Sequence, residues 1–310
     1  MRFLVTGGSG YIGTRIMELL AARPGVEEII DVDLKPPRAQ VPKVRWANRS
    51  VTDGLGDLFA GVDVAMHLAW VLDPLHDAVR QREICIGGSQ RFLDGCLAGD
   101  VKHVFFMSSA TAYGANPAHA RPVDEAEPLK DRHHLQYSAE KREAEGLFHR
   151  FAADRPGTLL QVARPVVVGG PNVSNFIFRT LDKPVGFRAL GHDPESQLVH
   201  EDDCAAAVVA ILDSRRPGAF NVAADGTMPL SAVYRRIGAR TIALPLPLLL
   251  ALARTAWERR WAKIAEAPPE FVYFVVYPWL VSNRRLKEEL GFRFRHTMEE
   301  TLEAFLTSRR

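Results

Sequence analysis

The segment that most constrains the fold lies at the start of the chain, where Thr6-Gly7-Gly8-Ser9-Gly10-Tyr11-Ile12-Gly13 follows an apolar run, Phe3-Leu4-Val5. Ile12, Ile16, Leu19 and Leu20 then recur at helical spacing over residues 11–22, so the segment reads as strand, tight turn and helix. Glycines at 7, 10 and 13 allow a sharp turn, a close approach of the backbone to a pyrophosphate and tight packing of helix on sheet. Free amides at the helix start receive the negative charge. A second strand, Glu28-Ile29-Ile30-Asp31-Val32-Asp33, ends on an acid twenty residues past Gly13. A carboxylate there accepts hydrogen bonds from an adenosine ribose and repels a 2′-phosphate, so the pattern predicts a dinucleotide site that favours NAD. Lys35 and Arg38, just beyond, keep NADP as the alternative.

Strand-like runs at 3–6, 28–33, 44–46, 64–68, 101–107 and 159–162 alternate with helical patterns. Such alternation implies an α/β fold, a doubly wound parallel sheet with right-handed helical crossovers. Glycines and prolines thicken from Gly169 to Pro194, where the alternation stops and the chain is expected to leave for a smaller substrate lobe. A chain of 310 residues is long enough for both. Its 39 Lys and Arg against 37 Asp and Glu, interspersed, leave a net charge of +2 and no electrostatic footprint for nucleic acid. Cys85, Cys96 and Cys204 form no CxxC pair and adjoin no histidine cluster, which argues for buried thiols and against a disulfide framework or a metal site. The chain opens directly on a core strand, so a cytoplasmic location is expected. The longest apolar run, Ile242 to Ala253, contains two prolines and is too short to span a bilayer. It leaves room only for a peripheral membrane contact.

Tyr137 and Lys141, in Tyr137-Ser138-Ala139-Glu140-Lys141, share one face of a helix. An adjacent ammonium and a positive nicotinamide ring favour the phenolate, which fits Tyr137 as a general base. A tyrosine and lysine at this spacing are common on surface helices; the order of this pair after Ser108-Ser109 is what gives it weight.

Together these residues resemble the extended short-chain dehydrogenase/reductase family, also called the NAD-dependent epimerase/dehydratase family. The likeness spans nearly the whole chain. It includes His67-Leu68-Ala69, the run Phe105 to Gly114, the Tyr137/Lys141 pair, Arg164-Pro165, Val199-His200-Glu201-Asp202-Asp203 and Leu290-Gly291-Phe292. The resemblance implies that Tyr137 takes the alcohol proton as hydride leaves for the nicotinamide, and returns it in reverse. It assigns Lys141 to the nicotinamide ribose and Ser109, rather than Ser108, to the substrate oxygen. Cofactor contacts are expected from Gly7, Gly10, Tyr11, Ile12 and Gly13 at the turn, Asp33 at the ribose, and Ser50 and Val51 at the adenine. Leu68, Ala69 and Trp70 after the fourth strand, Val166 after the sixth, and Tyr137 and Lys141 themselves complete the set. No metal is expected. The nucleotide-binding domain is expected over 1–168, with returning segments near 197–224 that hold a helix at 202–212 and the last sheet strand at 219–222. Residues 169–196 and 225–310 then make the substrate lobe. A homodimer is implied, built from helices near 76–98 and 137–153, with Ile84, Ile86, Phe92 and Leu147 as candidate contacts.

Other polar residues have plainer readings. His67 is expected to be a packed histidine, His133 and His134 solvated loop residues, Glu125 an acid near the active-site loop without a direct chemical role, and Arg309-Arg310 a solvated end. Departures from the family's pattern bear on substrate. Val167 stands where an asparagine is usual in sugar epimerases, Ser196 where an arginine is usual, and no RxGD-like segment precedes Asn283-Arg284-Arg285. Three contacts to a nucleotide diphosphate are therefore missing. Cys85 replaces the asparagine of an NVxGT-like motif, and the usual proline-tyrosine-glycine-proline turn is Val168-Gly169-Gly170-Pro171. The C-terminal part instead carries Leu244 to Ala253, Trp257, Trp261 and an aromatic cluster, Phe271, Tyr273, Phe274, Tyr277 and Trp279. Proline 247 can start a helix with Leu248, Leu252 and Trp257 near one face. Such segments resemble those of family members acting on apolar alcohols, and equally suit plain packing of the lobe. The expected function is NAD-dependent interconversion of a secondary alcohol and a ketone on a small, apolar or aromatic substrate. A sugar epimerase or dehydratase with recycled NAD and a non-catalytic NAD sensor are the alternatives.

Overall fold

Seven strands join in one parallel sheet: β1 (Arg2–Thr6), β2 (Glu28–Asp33), β3 (Val44–Asn48), β4 (Val64–His67), β5 (His103–Met107), β6 (Leu159–Pro165) and β7 (Gly218–Val222), in the order β7-β6-β5-β4-β1-β2-β3. The structure, a computed structural model, describes residues 1–119, 121–130 and 132–309. Between β1 and β4 the winding reverses, and this switch point opens a crevice at the carboxyl ends of the strands.

Both faces of the sheet are covered over its inner strands, which is why these read as nearly continuous apolar runs, while the edge strand β3 is partly exposed. Alternation within each strand divides the core. Val5, Met66 and Phe105 face α1 (Tyr11–Ala21) and the later helix Glu201–Ser214, meeting Ile16, Met17, Leu20, Val208 and Ile211. Their chain neighbours Leu4, Ala65 and Phe106 face α2 (Gly88–Ala98) and α3 (Gln136–Ala153), meeting Phe92, Cys96, Ala144 and Phe148. We label the helix Glu201–Ser214 α4. All three cysteines are buried and free.

The helix expected near 76–98 is divided. Ala78–Arg82 is α-helical, Glu83–Gly87 forms a π turn and α2 follows. Cys85 sits in that π turn, its carbonyl accepting from the Ser89 hydroxyl at 2.6 Å.

Past β6 the chain builds small ladders. Val167–Gly169 pairs with Leu198–His200, Glu195–Ser196 with Met228–Pro229, and Val185–Ala189 with Arg240–Leu244. After Gly169 it runs through a helix at Phe176–Leu181, and α4 and β7 then bring it back onto the large sheet. In α5 (Leu246–Glu258) Pro247 stands in the first turn as expected, but the packed face differs from the expected one. Leu249 and Ala256 are buried, with Leu246, Leu250 and Ala253 packed alongside Ala189, Val272 and Val276. Leu248 is 54% exposed. The helix is apolar on nearly every side, so its sequence does not select the face; the pocket between the strand Val185–Ala189 and the turn Pro269–Val275 does.

Candidate active site

Between β1 and α1 the turn needs its glycines. Gly7 has φ +75°, and a Cβ there would lie 2.6 Å from the Ala69 nitrogen; a Cβ on Gly13 would lie 2.4 Å from the Gly7 carbonyl. Beneath the turn, the Ser9 hydroxyl donates to Asp31 at 2.6 Å, and burial raises that carboxyl to about 6. No side chain caps the start of α1, where Gly10 is extended, so its first amides stay available to an anion.

A cleft of about 410 Å³ runs from this turn along the carboxyl edge of the sheet into the lobe. Gly7, Gly10, Tyr11, Ile12, Gly13, Asp33, Ser50, Val51, Leu68, Ala69, Trp70 and Val166 line it, together with Ser109, Tyr137 and Lys141. Every residue singled out from the sequence for cofactor or chemistry thus faces one space.

Lys141 is almost wholly buried. Its Nζ donates to the Met107 carbonyl at 2.6 Å and lies 3.7 Å from the centre of the Trp70 ring. Burial lowers the ammonium to about 7, opposed by the carboxylates of Glu145 and Glu140. Burial raises the Tyr137 phenol above its ordinary value, and a hydrogen bond with Ser109 opposes the rise. The Ser109 oxygen accepts from the Thr111 amide at 3.2 Å and from the Thr111 hydroxyl at 2.9 Å. Those contacts fix the oxygen and leave its proton to point toward Tyr137 or a ligand.

The model of the NAD dependent epimerase/dehydratase family matches residues 3–223. The chain belongs to this family. An uncharacterized protein of Mycobacterium tuberculosis is 24% identical over 318 residues, covering 99% of this chain and 83% of its own. The Arabidopsis thaliana 3beta-hydroxysteroid-dehydrogenase/decarboxylase isoform 1 is 27% identical over 184 residues, covering 54% of this chain and 42% of its own. Among solved structures, MoeE5 in complex with UDP-glucuronic acid and NAD superposes with a TM-score of 0.76 at 20% identity, covering 100% of this chain and 99% of the other.

As an NAD-dependent enzyme of this family, the chain has a cleft that suits its cofactor. The glycine turn is a cradle that any Cβ would fill. The buried Trp70 indole nitrogen has no partner among the described residues. Asp33 closes the far end, its carboxylate accepting from the Lys35 amide at 3.1 Å.

The two serines separate cleanly. Ser108 donates to Glu145 at 2.6 Å. Arg164 pairs with the same carboxylate and donates to the Tyr113 hydroxyl at 2.5 Å, which in turn donates to Asn221 at 2.9 Å. Burial would raise Glu145, but the hydrogen bonds from His149, Arg164 and Ser108 outweigh it and bring the carboxyl down to about 2. Ser108 is thus committed to a buried network, whereas Ser109 faces Tyr137.

His67 is packed, as its place in β4 implied. Its ring nitrogens meet Thr6 at 2.7 Å and Ser89 at 3.1 Å, and burial lowers it to about 3. Glu125 lies outside the cleft, its carboxylate accepting from the Asn221 amide at 2.7 Å. His134 is exposed. His133 departs from the expected solvated loop: it stacks on Tyr273 with ring centres 3.7 Å apart, because the aromatic cluster folds over the start of α3. Cys85 lies within electrostatic reach of Lys141, and burial pushes its thiol up to about 12. A neutral thiol therefore replaces the family's asparagine. No group of three metal-ligating side chains forms among the described residues.

Sequence reasoning missed the outer wall of the cleft, where Leu72, Pro74, Leu135, Phe176 and Ile177 join Phe271 and Trp279. These come from separate segments, and no local pattern marks them. Arg49, Met107 and Thr111 were also missed, although each lies within two residues of a predicted position.

Proposed function

We propose that this enzyme interconverts a secondary alcohol and a ketone on a small, largely apolar substrate. One observation carries the reading. The part of the cleft beyond Tyr137 is walled by Leu72, Pro74, Leu135, Phe176, Ile177, Phe271 and Trp279. Among the described residues, the polar groups at that end are only Arg80, which is exposed, and Asn175, whose side-chain oxygen accepts from the Phe178 amide to cap the helix Phe176–Leu181, leaving one cation and one amide donor. A nucleotide diphosphate needs several cations or amide donors, and Val167 lines the cleft where a sugar epimerase would offer an amide. The steroid-dehydrogenase name of the Arabidopsis relative accords with this reading.

Bound NAD supplies the hydride acceptor or donor. Ser109 orients the substrate oxygen by hydrogen bonding. Tyr137 takes the hydroxyl proton in oxidation and returns it in reduction. Lys141, a cation within the same buried space, lowers the cost of negative charge on the phenol oxygen. The apolar wall excludes water and fills against the substrate body.

The test is a panel of cyclic and aromatic secondary alcohols with NAD, read as NADH formed, alongside UDP-sugars read as epimerised or dehydrated product. Turnover of apolar alcohols with net NADH is expected. Sugar-nucleotide turnover without net NADH would overturn the reading.

We further infer a homodimer formed through α2 and α3, with exposed Leu97 at the end of α2 as a contact. A monomer by light scattering at micromolar concentration would contradict it. Three buried free thiols suit a reducing compartment, and we place the enzyme in the cytoplasm. We assign residues 1–168 with 197–224 to the nucleotide-binding domain, which also lends Leu72, Pro74 and Leu135 to the substrate wall, and 169–196 with 225–310 to the substrate lobe.

A further inference from the structure

Around the entrance of the cleft the surface changes character. Leu72, Leu75 and Val79 are exposed on the segment that follows β4, Val79 to 80%, while Leu72 and Pro74 also line the cleft. The end of α5 packs against this segment: Trp257 stacks on His76 with ring centres 3.8 Å apart. The chain beyond is tied to the same region. Arg179 bridges Asp73 and Glu266 at 2.9 and 2.8 Å, and the Lys183 ammonium donates to the Ala262 carbonyl at 2.8 Å. Arg259-Arg260-Trp261-Ala262-Lys263-Ile264 is therefore held beside the entrance, with Trp261 45% and Ile264 37% exposed.

Four cations, Arg254 in α5 and Arg259, Arg260 and Lys263 beyond it, are exposed here. Glu258 is the one acid interspersed among them, and Glu266, the next along the chain, is taken by Arg179 and Lys183, so the stretch keeps a net positive charge. Scattered apolar residues on a surface mean little. Here a tryptophan and an isoleucine stand among four cations against one acid, next to exposed leucines, at the mouth of an apolar cleft. That is the composition of an interfacial anchor: the tryptophan ring suits the headgroup level of a bilayer, and the cations are drawn to anionic lipid. An anionic surface complements this charge, and a bilayer dissolves the class of compound the cleft is built to hold.

We propose that this face docks the enzyme on an anionic phospholipid surface, Trp261 and Ile264 inserting at headgroup level, so that apolar substrate passes between bilayer and cleft. The contact is peripheral, since no helix among the described residues is long and apolar enough to cross a membrane. The route for substrate rests on the apolar reading of the cleft; the docking itself does not.

Co-sedimentation of the full chain with vesicles tests it, using phosphatidylcholine alone and phosphatidylcholine mixed with phosphatidylglycerol. Pelleting with the anionic vesicles, weakened by salt, is expected. Trp261→Ser with Ile264→Ser, and separately Arg259→Glu with Arg260→Glu, should each lower partitioning roughly tenfold or more. NADH binding, measured on the same samples, should stay as in the parent because none of the four lines the cleft. Protein that remains in the supernatant with anionic vesicles overturns the proposal, as does binding that survives either pair. Loss through the arginine pair alone also overturns it, because the face would then be a simple charge patch able to hold any polyanion, nucleic acid or acidic protein included. Failure to bind vesicles while apolar alcohols still turn over sinks the docking and leaves the substrate reading standing. Vesicle binding with turnover of UDP-sugars does the reverse.

Discussion

Lys141 is a cation that folding removes from water, and its cost shows in the pH dependence of stability. Burial brings its ammonium from its ordinary value to about 7. The unfolded chain keeps this proton up to about pH 10.4, so between about 7 and 10.4 stability attributable to this group rises with pH, and below 7 the full penalty applies. Lys141→Met should therefore stabilise the cofactor-free protein near pH 6 by roughly 2 kcal/mol, with the gain shrinking toward pH 10, while abolishing turnover. Thermal melts across that range check it, and a melting point no higher than the parent's near pH 6 would contradict it. The two serines give a second contrast. Ser108→Ala removes a donor from a buried carboxylate and should cost about 1–2 kcal/mol while leaving turnover largely intact. Ser109→Ala, which takes an acceptor from the Thr111 amide and hydroxyl, should cost about 1 kcal/mol of stability but lower kcat by roughly a hundredfold. Equal losses of activity in the two variants would refute the division. Residue types and order made Tyr137, Lys141 and the serine pair legible. The Glu145–Arg164–Tyr113–Asn221 network that commits Ser108 was not, because its members are far apart in the chain and meet only after β6 and β7 pair.

At the scale of elements, the sheet was legible because both faces of its inner strands are buried, which writes those strands as apolar runs, whereas the edge strand β3 is exposed at Arg45, Trp46 and Asn48. Its ends moved by a few residues where hydrogen bonding outlasts the apolar pattern, as in β6, which continues through Arg164 to Pro165. The π turn at Glu83–Gly87 was not legible, because its residues suit an α-helix equally. The face of α5 failed for a related reason, an apolar sequence without direction. The glycine turn is the opposite case, a motif whose geometry each residue dictates. Gly13→Ala would place a methyl 2.4 Å from the Gly7 carbonyl and 2.6 Å from the Gly8 carbonyl. Backbone cannot yield there as a flexible side chain can, so the variant should lose about 1–3 kcal/mol and bind NADH at least roughly tenfold more weakly. Cofactor titration followed by fluorescence measures this. Undiminished NADH affinity would mean that the turn opens without cost and that its tightness is not what holds the cofactor.

For the whole molecule, the cofactor and substrate regions share one core. Val281 and Leu286, beyond the lobe's aromatic cluster, pack with Phe105, Val208 and Phe220 of the sheet layers. Asp203 of α4 accepts from the amides of Arg295 and His296 at 3.0 and 2.8 Å, and Asn283 donates to the Ala223 carbonyl at 2.9 Å. The chain thus crosses between the two regions repeatedly, so the two are expected to unfold together. None of this was legible in sequence, since the crossing contacts obey no local period; the outer wall of the cleft escaped for the same reason. Calorimetry should show a single transition that NADH moves upward as one, by about 2.7 kcal/mol of added stability at a hundred times its Kd. Asp203→Ala, which strands two amides, should lower that transition by roughly 2–3 kcal/mol without dividing it. If two peaks appear and NADH shifts only one of them, the regions are independent, and the stitching at Asp203 and Asn283 is too weak to couple them.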